Sequence, residues 1–146
     1  MVRLKHERLI RPILLVEDSP IDLDLTLRAF ARHKFADQIQ VALDGEEALA
    51  WIERWDGGEP WPAVILLDLK LPKIDGLEVL RQLKAHPEYC AIPVVVLTTS
   101  SENSDIKTAY KIGANSYLFK PVDYEKFTEV TAQIRLYWGV LNEPPV

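Results

Sequence analysis

Five short apolar runs divide this 146-residue chain at regular intervals. They are PILLV (12–16), IQVAL (39–43), AVILL (63–67), PVVVL (93–97) and the weaker SYLF (116–119). Three of the first four are continuous rather than alternating, which is typical of strands covered on both faces of a parallel sheet. Each run is followed by a segment of helix length. The pattern therefore predicts a β-α unit repeated five times in one doubly wound α/β sheet with right-handed crossovers.

The intervening segments carry helix start signals. Ser19-Pro20 offers an N-cap followed by proline at the first helical position. Further helices are predicted after Asp44, Ser104 and Asp123, and another begins at Gly76. No repeat or internal linker interrupts the series, so we expect a domain over residues 12–138, an N-terminal extension over 1–11 and a tail over 139–146.

The stretch IDLDLTL (21–27) alternates with period two and would by itself predict a strand. The Ser-Pro start before it, and the distance to the next apolar run, favour a helix instead. In that helix we expect Ile21, Leu25 and Phe30 to face the core.

Two other apolar groups are expected in the core. Trp51, Trp55 and Trp61 lie between the second helix and the third strand; we favour the edge of the core for them, and a partner-facing patch remains the alternative. The last predicted helix carries a core stripe formed by Phe127, Val130, Ile134 and Tyr137.

Composition excludes several classes of protein. The 17 basic and 22 acidic side chains give a formal charge of −5, which argues against a nucleic-acid binder. Cys90 is the only cysteine, so neither a disulfide framework nor a cysteine metal site is expected. No run reaches the roughly 18 apolar residues of a membrane helix, and the basic start lacks the apolar core of a signal peptide. We expect a soluble cytoplasmic protein with no membrane or nucleic-acid partner.

Polar residues follow the predicted strands where each strand ends. Glu17 and Asp18 follow the first, Asp68 the third, Thr98 the fourth and Lys120 the fifth. Ligands of open α/β sheets bind at the carboxyl ends of the strands. The pattern therefore predicts that three carboxylates, a hydroxyl and an ammonium converge on one edge of the sheet.

Three neighbouring carboxylates repel one another, and a hard divalent cation such as Mg²⁺ removes that conflict. Asp18 and Asp68 would bind the ion directly, Glu17 through water, and a main-chain carbonyl just after Asp68 would complete the protein ligands. Beside the ion, Asp68 could attack a phosphoryl group. Lys120 would offset charge on the phosphoryl oxygens, and the Thr98 hydroxyl would donate a hydrogen bond to them.

Each of these residues alone also fits an ordinary structural role. An Asp after a strand commonly caps the next helix, the role assigned here to Asp44 and Asp123. Lys120-Pro121 alone is a turn signal, and Thr98 alone is a strand end. The prediction of a site therefore depends on their joint placement.

Four sequence blocks, VEDSP, LLDLKLPKIDG, IPVVVLTTS and ANSYLFKPVD, resemble the signature blocks of response-regulator receiver domains of two-component systems. The spacing agrees, with Thr98 and Lys120 following Asp68 by 30 and 52 residues. The resemblance covers about residues 12–138. It implies a flavodoxin-like (CheY-like) doubly wound (βα)5 fold with a five-stranded parallel sheet.

The resemblance also implies roles for the clustered residues. Asp68 would be the phosphoacceptor, and Lys120 would match the lysine of the family. Glu17, Asp18 and Asp68 would form the Mg²⁺ site together with the Lys70 main-chain carbonyl.

Thr98 and Tyr117 match the switch pair of the family, which reshapes the face formed by the fourth helix, fifth strand and fifth helix (the α4-β5-α5 face). The bond before Pro121 is cis in that family. Thr99 departs from the pattern, because the residue after the switch Thr is usually small. A β-branched side chain there is expected to alter phosphorylation or dephosphorylation kinetics.

Within receivers, DLKLPKIDG, LTTS and ANSYLFKPVD look most like the small regulators paired with bacterial phytochromes. This implies phosphoryl transfer from the phosphohistidine of a sensor histidine kinase such as a bacteriophytochrome. About eight residues follow the last predicted helix, so we expect no output domain. Signalling would then proceed by binding, with a homodimer through the α4-β5-α5 face as one expected partner.

Three alternatives to an active receiver remain. An enzyme with an aspartyl-phosphate intermediate would need a substrate pocket and a cap insertion, and neither is recognisable. A flavodoxin-like cofactor binder would need a Gly/Ser/Thr-rich loop where this chain has Glu17-Asp18-Ser19. A degenerate receiver acting as a phosphorylation-independent scaffold is the third, and the complete set of acceptor, metal and switch residues argues against it.

Overall fold

The structure, a computed structural model, describes residues 11–32 and 39–145. Strands and helices alternate along the chain. They are β1 Ile13–Val16, α1 Pro20–Ala31, β2 Ile39–Ala42, α2 Gly45–Asp56, β3 Val64–Leu67, α3 Gly76–Ala85, β4 Val94–Thr98, α4 Asn103–Ile112, β5 Ser116–Phe119 and α5 Tyr124–Leu136. A 3-10 turn, Tyr89–Ala91, precedes β4, and a π-helical turn, Tyr137–Leu141, follows α5.

All five strands are parallel and lie in the order β2-β1-β3-β4-β5. This is the order of the flavodoxin-like doubly wound folds, as predicted. The chain leaves β1 toward β2 on one side and later returns to β3 on the other. The carboxyl ends of β1 and β3 are therefore adjacent at the switch point, where Val16 is in register with Leu67.

The sheet is buried on both faces, as the continuous apolar runs predict. On one face, Trp51 and Trp55 of α2 are 8% and 3% exposed and pack with residues of α3 and β3, while Trp61 packs against the same cluster. The prediction that the tryptophans belong to the core is confirmed. On the other face, Phe30 of α1 and Ile134 of α5 pack against β1 and β3.

Three predicted helix caps are confirmed. The side chains of Ser19, Asp44 and Asp123 accept hydrogen bonds from backbone N–H groups of the first turns of α1, α2 and α5. The predicted start after Ser104 is wrong. Glu102 occupies the N-cap position of α4, because its carbonyl already accepts the N–H of Ile106 at 3.1 Å, and Ser104 lies inside the first turn.

The alternating stretch 21–27 lies in a helix, as the Ser-Pro start indicates. Phe30 is fully buried, but Ile21 is 72% exposed and Leu25 only half-buried. Ile21 precedes Phe30 by nine residues, about two and a half turns, and therefore lies on the opposite side of the helix. The prediction of Ile21 in the core is wrong.

The stripe predicted on the last helix is confirmed over most of its length. Phe127 and Ile134 are buried and Val130 is half-buried. Tyr137 is 51% exposed, because α5 ends at Leu136 and the wider π-helical turn changes the direction of the following side chains. Over the described ranges, none of these helices is long and apolar enough to cross a membrane.

Candidate functional site

Asp68 lies at the carboxyl end of β3, and its backbone N–H donates to the Val16 carbonyl at 3.1 Å. The residue is only 8% exposed. Its Oδ1 accepts hydrogen bonds from the Thr98 hydroxyl at 3.0 Å and the Lys70 N–H at 3.2 Å. Its Oδ2 accepts from the Lys120 ammonium at 2.8 Å. A buried carboxylate requires such partners, since an unpaired one would be strongly destabilising.

Lys120 supplies the positive charge of the site. Its backbone N–H donates a hydrogen bond to the Thr98 carbonyl at 2.8 Å, and this bond fixes the chain where β5 ends. Its side chain is 5% exposed, and its ammonium contacts Glu17, Asp68 and, at 3.0 Å, Asp22. Burial acts to lower the pKa of Lys120, but hydrogen bonds to Asp68 and Glu17 and their charges outweigh it and raise the pKa above the usual value.

Glu17 is the most buried carboxylate of the site, with 2% of its surface exposed. Burial raises its pKa to about 7, although the hydrogen bond and charge of Lys120 act in the opposite direction. The negative charge of Asp68 also raises the Glu17 pKa. The second oxygen of Glu17 accepts the Ser19 N–H at 3.1 Å, which joins the site to the start of α1.

Glu17, Asp18 and Asp68 form a group of carboxylates suited to a metal ion. One oxygen from each lies within 4.8 Å of the others. Asp18 is exposed, so water can reach the cluster and complete an octahedral ligand set. The site holds one lysine against several carboxylates, which leaves net negative charge. Its oxygen donors and its charge therefore fit a hard divalent cation.

The predicted switch pair lies on the adjacent strands β4 and β5. Thr98 is fully buried and directed at Asp68. Tyr117 is half-buried, and its hydroxyl donates to the Ser100 carbonyl at 2.9 Å. The Ser100 hydroxyl in turn donates to Asp105 of α4 at 2.6 Å. A chain of polar contacts therefore joins Tyr117 to the start of α4.

The structure brings Glu17, Asp18, Asp68, Thr98 and Lys120 together, as predicted. Asp22 was missed, although it lies in the first turn of α1, directly after the loop that carries Glu17 and Asp18. The expectation of a cis bond before Pro121 is wrong for this structure, because the described ranges contain only trans peptides. The two forms of an X-Pro bond differ by only about 0.5–1 kcal/mol, so small local differences decide between them.

The family model of the response regulator receiver domain matches residues 13–132. Response regulator Rcp1 of Synechocystis is 38% identical over 128 residues, which cover 86% of this chain and 87% of Rcp1. The probable methanogenesis regulatory protein FilR2 of Methanothrix harundinacea is 44% identical over 91% of this chain and 86% of FilR2. Both similarities extend over most of each protein.

Solved structures agree with these sequence matches. The Mn²⁺-bound form of Rcp1 superposes with a TM-score of 0.82 at 35% identity, over 93% of this chain and 99% of that structure. The bacteriophytochrome response regulator RtBRR superposes with a TM-score of 0.73 at 47% identity, over 94% and 85%.

The resemblance found in the sequence is thereby confirmed. Proteins similar to this chain include stand-alone phytochrome response regulators such as RtBRR. Receiver domains bind a divalent metal ion in an acidic pocket like the one described above. Receivers are signalling proteins rather than conventional enzymes. With fold, acidic cluster and family match in agreement, this chain belongs to the response regulator receiver domain family.

Proposed function

We propose that Asp68 accepts a phosphoryl group from the phosphohistidine of a partner sensor histidine kinase. The observation that carries this proposal is the set of groups around the Asp68 carboxylate. The Thr98 hydroxyl donates to its Oδ1 and the Lys120 ammonium to its Oδ2, and the other carboxylates of the acidic cluster lie beside it. A nucleophile, a cation and a hydrogen-bond donor are then in place for phosphoryl transfer.

In this reaction an Asp68 oxygen attacks phosphorus while the bond from phosphorus to the kinase imidazole nitrogen breaks. The other ring nitrogen carries a proton, so the products are an acyl phosphate and a neutral histidine. Lys120 offsets the negative charge of the phosphoryl oxygens, and the Thr98 hydroxyl donates a hydrogen bond to one of them. Mg²⁺, held by Glu17, Asp18, Asp68 and the Lys70 main-chain carbonyl, would supply further charge neutralisation when bound. The protein assists only its own phosphorylation and dephosphorylation.

The new phosphoryl group adds about −1.5 to −2 charges beside Thr98 and Lys120. The Thr98 hydroxyl leaves Asp68 for the phosphoryl group, and Tyr117 turns inward, releasing the Ser100 carbonyl that it binds in this structure. The ring of Tyr117 packs edge-on against Phe119, with centroids 5.9 Å apart, and Phe119 is 54% exposed. Movement of Tyr117 therefore changes the α4-β5-α5 face.

A light-sensing kinase of the bacteriophytochrome type is the partner that we propose. The similarity to RtBRR, which is named a bacteriophytochrome response regulator, supports this choice. A cytoplasmic location and a homodimer through the α4-β5-α5 face form part of the same proposal. The alternative is a scaffold that binds partners without being phosphorylated.

The test is to incubate the protein with Mg²⁺ and a small phosphodonor and to measure the intact mass. We expect a labile adduct of one phosphoryl group in the parent protein and none in Asp68→Asn. Asp24→Asn is a matched control, since Asp24 is an exposed α1 carboxylate paired with Arg28 at 3.0 Å. A parent protein that forms no adduct, or an Asp68→Asn protein that still forms one, would contradict the proposal.

A further inference from the structure

The loop that joins β3 to α3, residues 68–75, carries both Asp68 and Lys70. It runs from the acidic cluster to the first turn of α2, where Pro72, Lys73 and Ile74 lie against Asp44 and Gly45. Helix α2 contributes no ligand to the cluster. Its contact with this loop therefore calls for a separate explanation.

Gly45 allows the loop to approach the start of α2 very closely. Its N–H points to the Pro72 carbonyl at 3.4 Å. A Cβ atom on Gly45 would lie 1.9 Å from the Ile74 carbonyl oxygen and 2.7 Å from the Ile74 Cβ. Any larger residue at position 45 must therefore displace the backbone of the loop.

Lys73 holds the loop from the other side. It has φ of 67°, a left-handed conformation that residues with a Cβ rarely adopt. Its ammonium lies 3.3 Å from Asp44 and 3.6 Å from Glu46. Asp44 is nearly buried and also caps α2 through the Glu47 N–H at 2.8 Å, so this partner is fixed. The ion pair favours a backbone conformation that would otherwise be unfavourable.

The loop is also closed tightly where α3 begins. The Gly76 N–H donates to the Leu69 carbonyl at 2.8 Å, and a Cβ on Gly76 would lie 2.3 Å from the Asp68 carbonyl oxygen. Only the four residues 68–71 separate the end of β3 from the part that contacts α2. The backbone is therefore held in place on both sides of Lys70.

We propose that Gly45 and Lys73 form a clamp that positions the Lys70 carbonyl toward the acidic cluster and thereby sets its affinity for a divalent cation. Both are positioning residues that touch neither the ion nor the phosphoryl group. The clamp rests on the proposed function, which assigns the Lys70 carbonyl to the metal site.

The first test measures Mg²⁺ affinity of the full-length chain by titration calorimetry without phosphodonor. Lys73→Ala removes the ammonium but keeps a residue with the same backbone preference. We expect its Mg²⁺ dissociation constant to rise about three- to tenfold. This is small for a residue that positions a metal ligand, because the Lys73 ion pair is exposed and therefore weak. If charge alone mattered, removing the Lys73 ammonium would remove a repulsion and strengthen Mg²⁺ binding. Weaker binding therefore indicates that the loop is no longer positioned.

Lys73→Arg preserves the charge, so its Mg²⁺ dissociation constant should stay within about twofold of that of the parent. This corresponds to well under about 1 kcal/mol in binding free energy. Lys107→Ala, which removes an exposed lysine of α4, is the matched control for charge and should leave the affinity unchanged. If Lys73→Ala folds and binds Mg²⁺ as the parent does, the clamp is wrong.

Gly45→Ala tests the close approach. We expect it to raise the dissociation constant about 10- to 100-fold, whereas Gly57→Ala should not, because a Cβ at Gly57 meets nothing nearer than 3.4 Å. Should Gly45→Ala not fold, Lys73→Ala alone decides. At saturating Mg²⁺ both clamp variants should regain adduct formation, which loss of the fold would not allow.

The two proposals fail in different ways. A parent protein that binds Mg²⁺ but forms no adduct contradicts phosphoacceptance, and the calorimetric comparison of the variants still applies. A parent protein that binds no Mg²⁺ overturns the clamp.

Discussion

At the level of single residues, Lys120 offsets only part of the negative charge of the site. Glu17 and Asp68 are 2% and 8% exposed, and burial of either carboxylate without a partner would be costly. One ammonium, that of Lys120, contacts both and reaches Asp22 as well. Because several acidic groups share this single cation, the cluster keeps a net negative charge that suits a divalent ion.

Thr99 is exposed next to the buried Thr98 that contacts Asp68. We expect its β-branched side chain to limit access of a phosphodonor and of hydrolytic water to the carboxylate. We expect Thr99→Ala to speed both adduct formation and adduct loss by no more than about fivefold, or roughly 1 kcal/mol in activation free energy. Mass measurements over time give both rates. Thr108→Ala in α4 is the control, and rates equal to those of the parent would remove this role of Thr99.

The convergence of Glu17, Asp68 and Lys120 could be predicted, because parallel strands end at one edge of the sheet and the sequence marks those ends. Contacts that depend on how a helix is rotated could not. Asp22 reaches Lys120 only because α1 is rotated so that this side chain is directed at the site, whereas Asp24 is exposed and pairs with Arg28. The polar link from Tyr117 through Ser100 to Asp105 depends on the path of a loop, which no periodicity in the sequence specifies.

Between elements, Tyr89 joins the turn before β4 to the end of α2. It is 3% exposed, and its ring lies edge-on to Trp55 and Trp61 with centroids 5.1 and 5.0 Å away. Its hydroxyl donates to Asp56 at 2.5 Å. The pKa of Tyr89 is raised from 10.0 to about 12, mainly by this hydrogen bond to Asp56 and to a smaller extent by burial.

Tyr89→Phe tests this link through pH. A raised pKa means that the folded protein holds the proton more tightly than the unfolded chain. The stabilisation is therefore complete below pH 10 and is lost as pH rises toward 12. We expect Tyr89→Phe to melt below the parent at pH 8 and the gap to narrow by pH 11, as followed by circular dichroism. The gap for Tyr110→Phe, at a tyrosine 50% exposed, should not narrow in this way. A constant Tyr89→Phe gap would contradict the prediction.

At the scale of elements, the sequence locates strands better than helix faces. Each apolar run became a strand with ends shifted by at most one residue. For β1, β3 and β4 the reason is that burial on both faces requires a continuous apolar run. In α1 the period-two pattern of 21–27 obscured the helical face, and Ile21 is exposed as a result. In α4 no side chain caps the first turn, so no residue type marked its start.

The molecule as a whole exposes apolar side chains on the face that the switch is proposed to control. Tyr110 of α4, Phe119 of β5 and Val122 are at least half exposed, and Phe119 contacts the switch residue Tyr117. An apolar group of this kind commonly marks a protein contact. A change at Tyr117 would therefore reach a surface that is suited to a second copy of the chain.

We expect this face to dimerise and the dimer fraction to rise when an acyl-phosphate mimic such as beryllium fluoride is added with Mg²⁺. Sedimentation at about tens of micromolar protein measures that fraction, which depends on concentration by mass action. Phe119→Ser should lower it in both states, since it replaces apolar contact area with a hydroxyl. Ile21→Ser, which changes a 72% exposed residue of α1, should leave it unchanged. A protein that sediments as a monomer with and without the mimic would rule out the dimer, and partner binding through this face would then involve other proteins only.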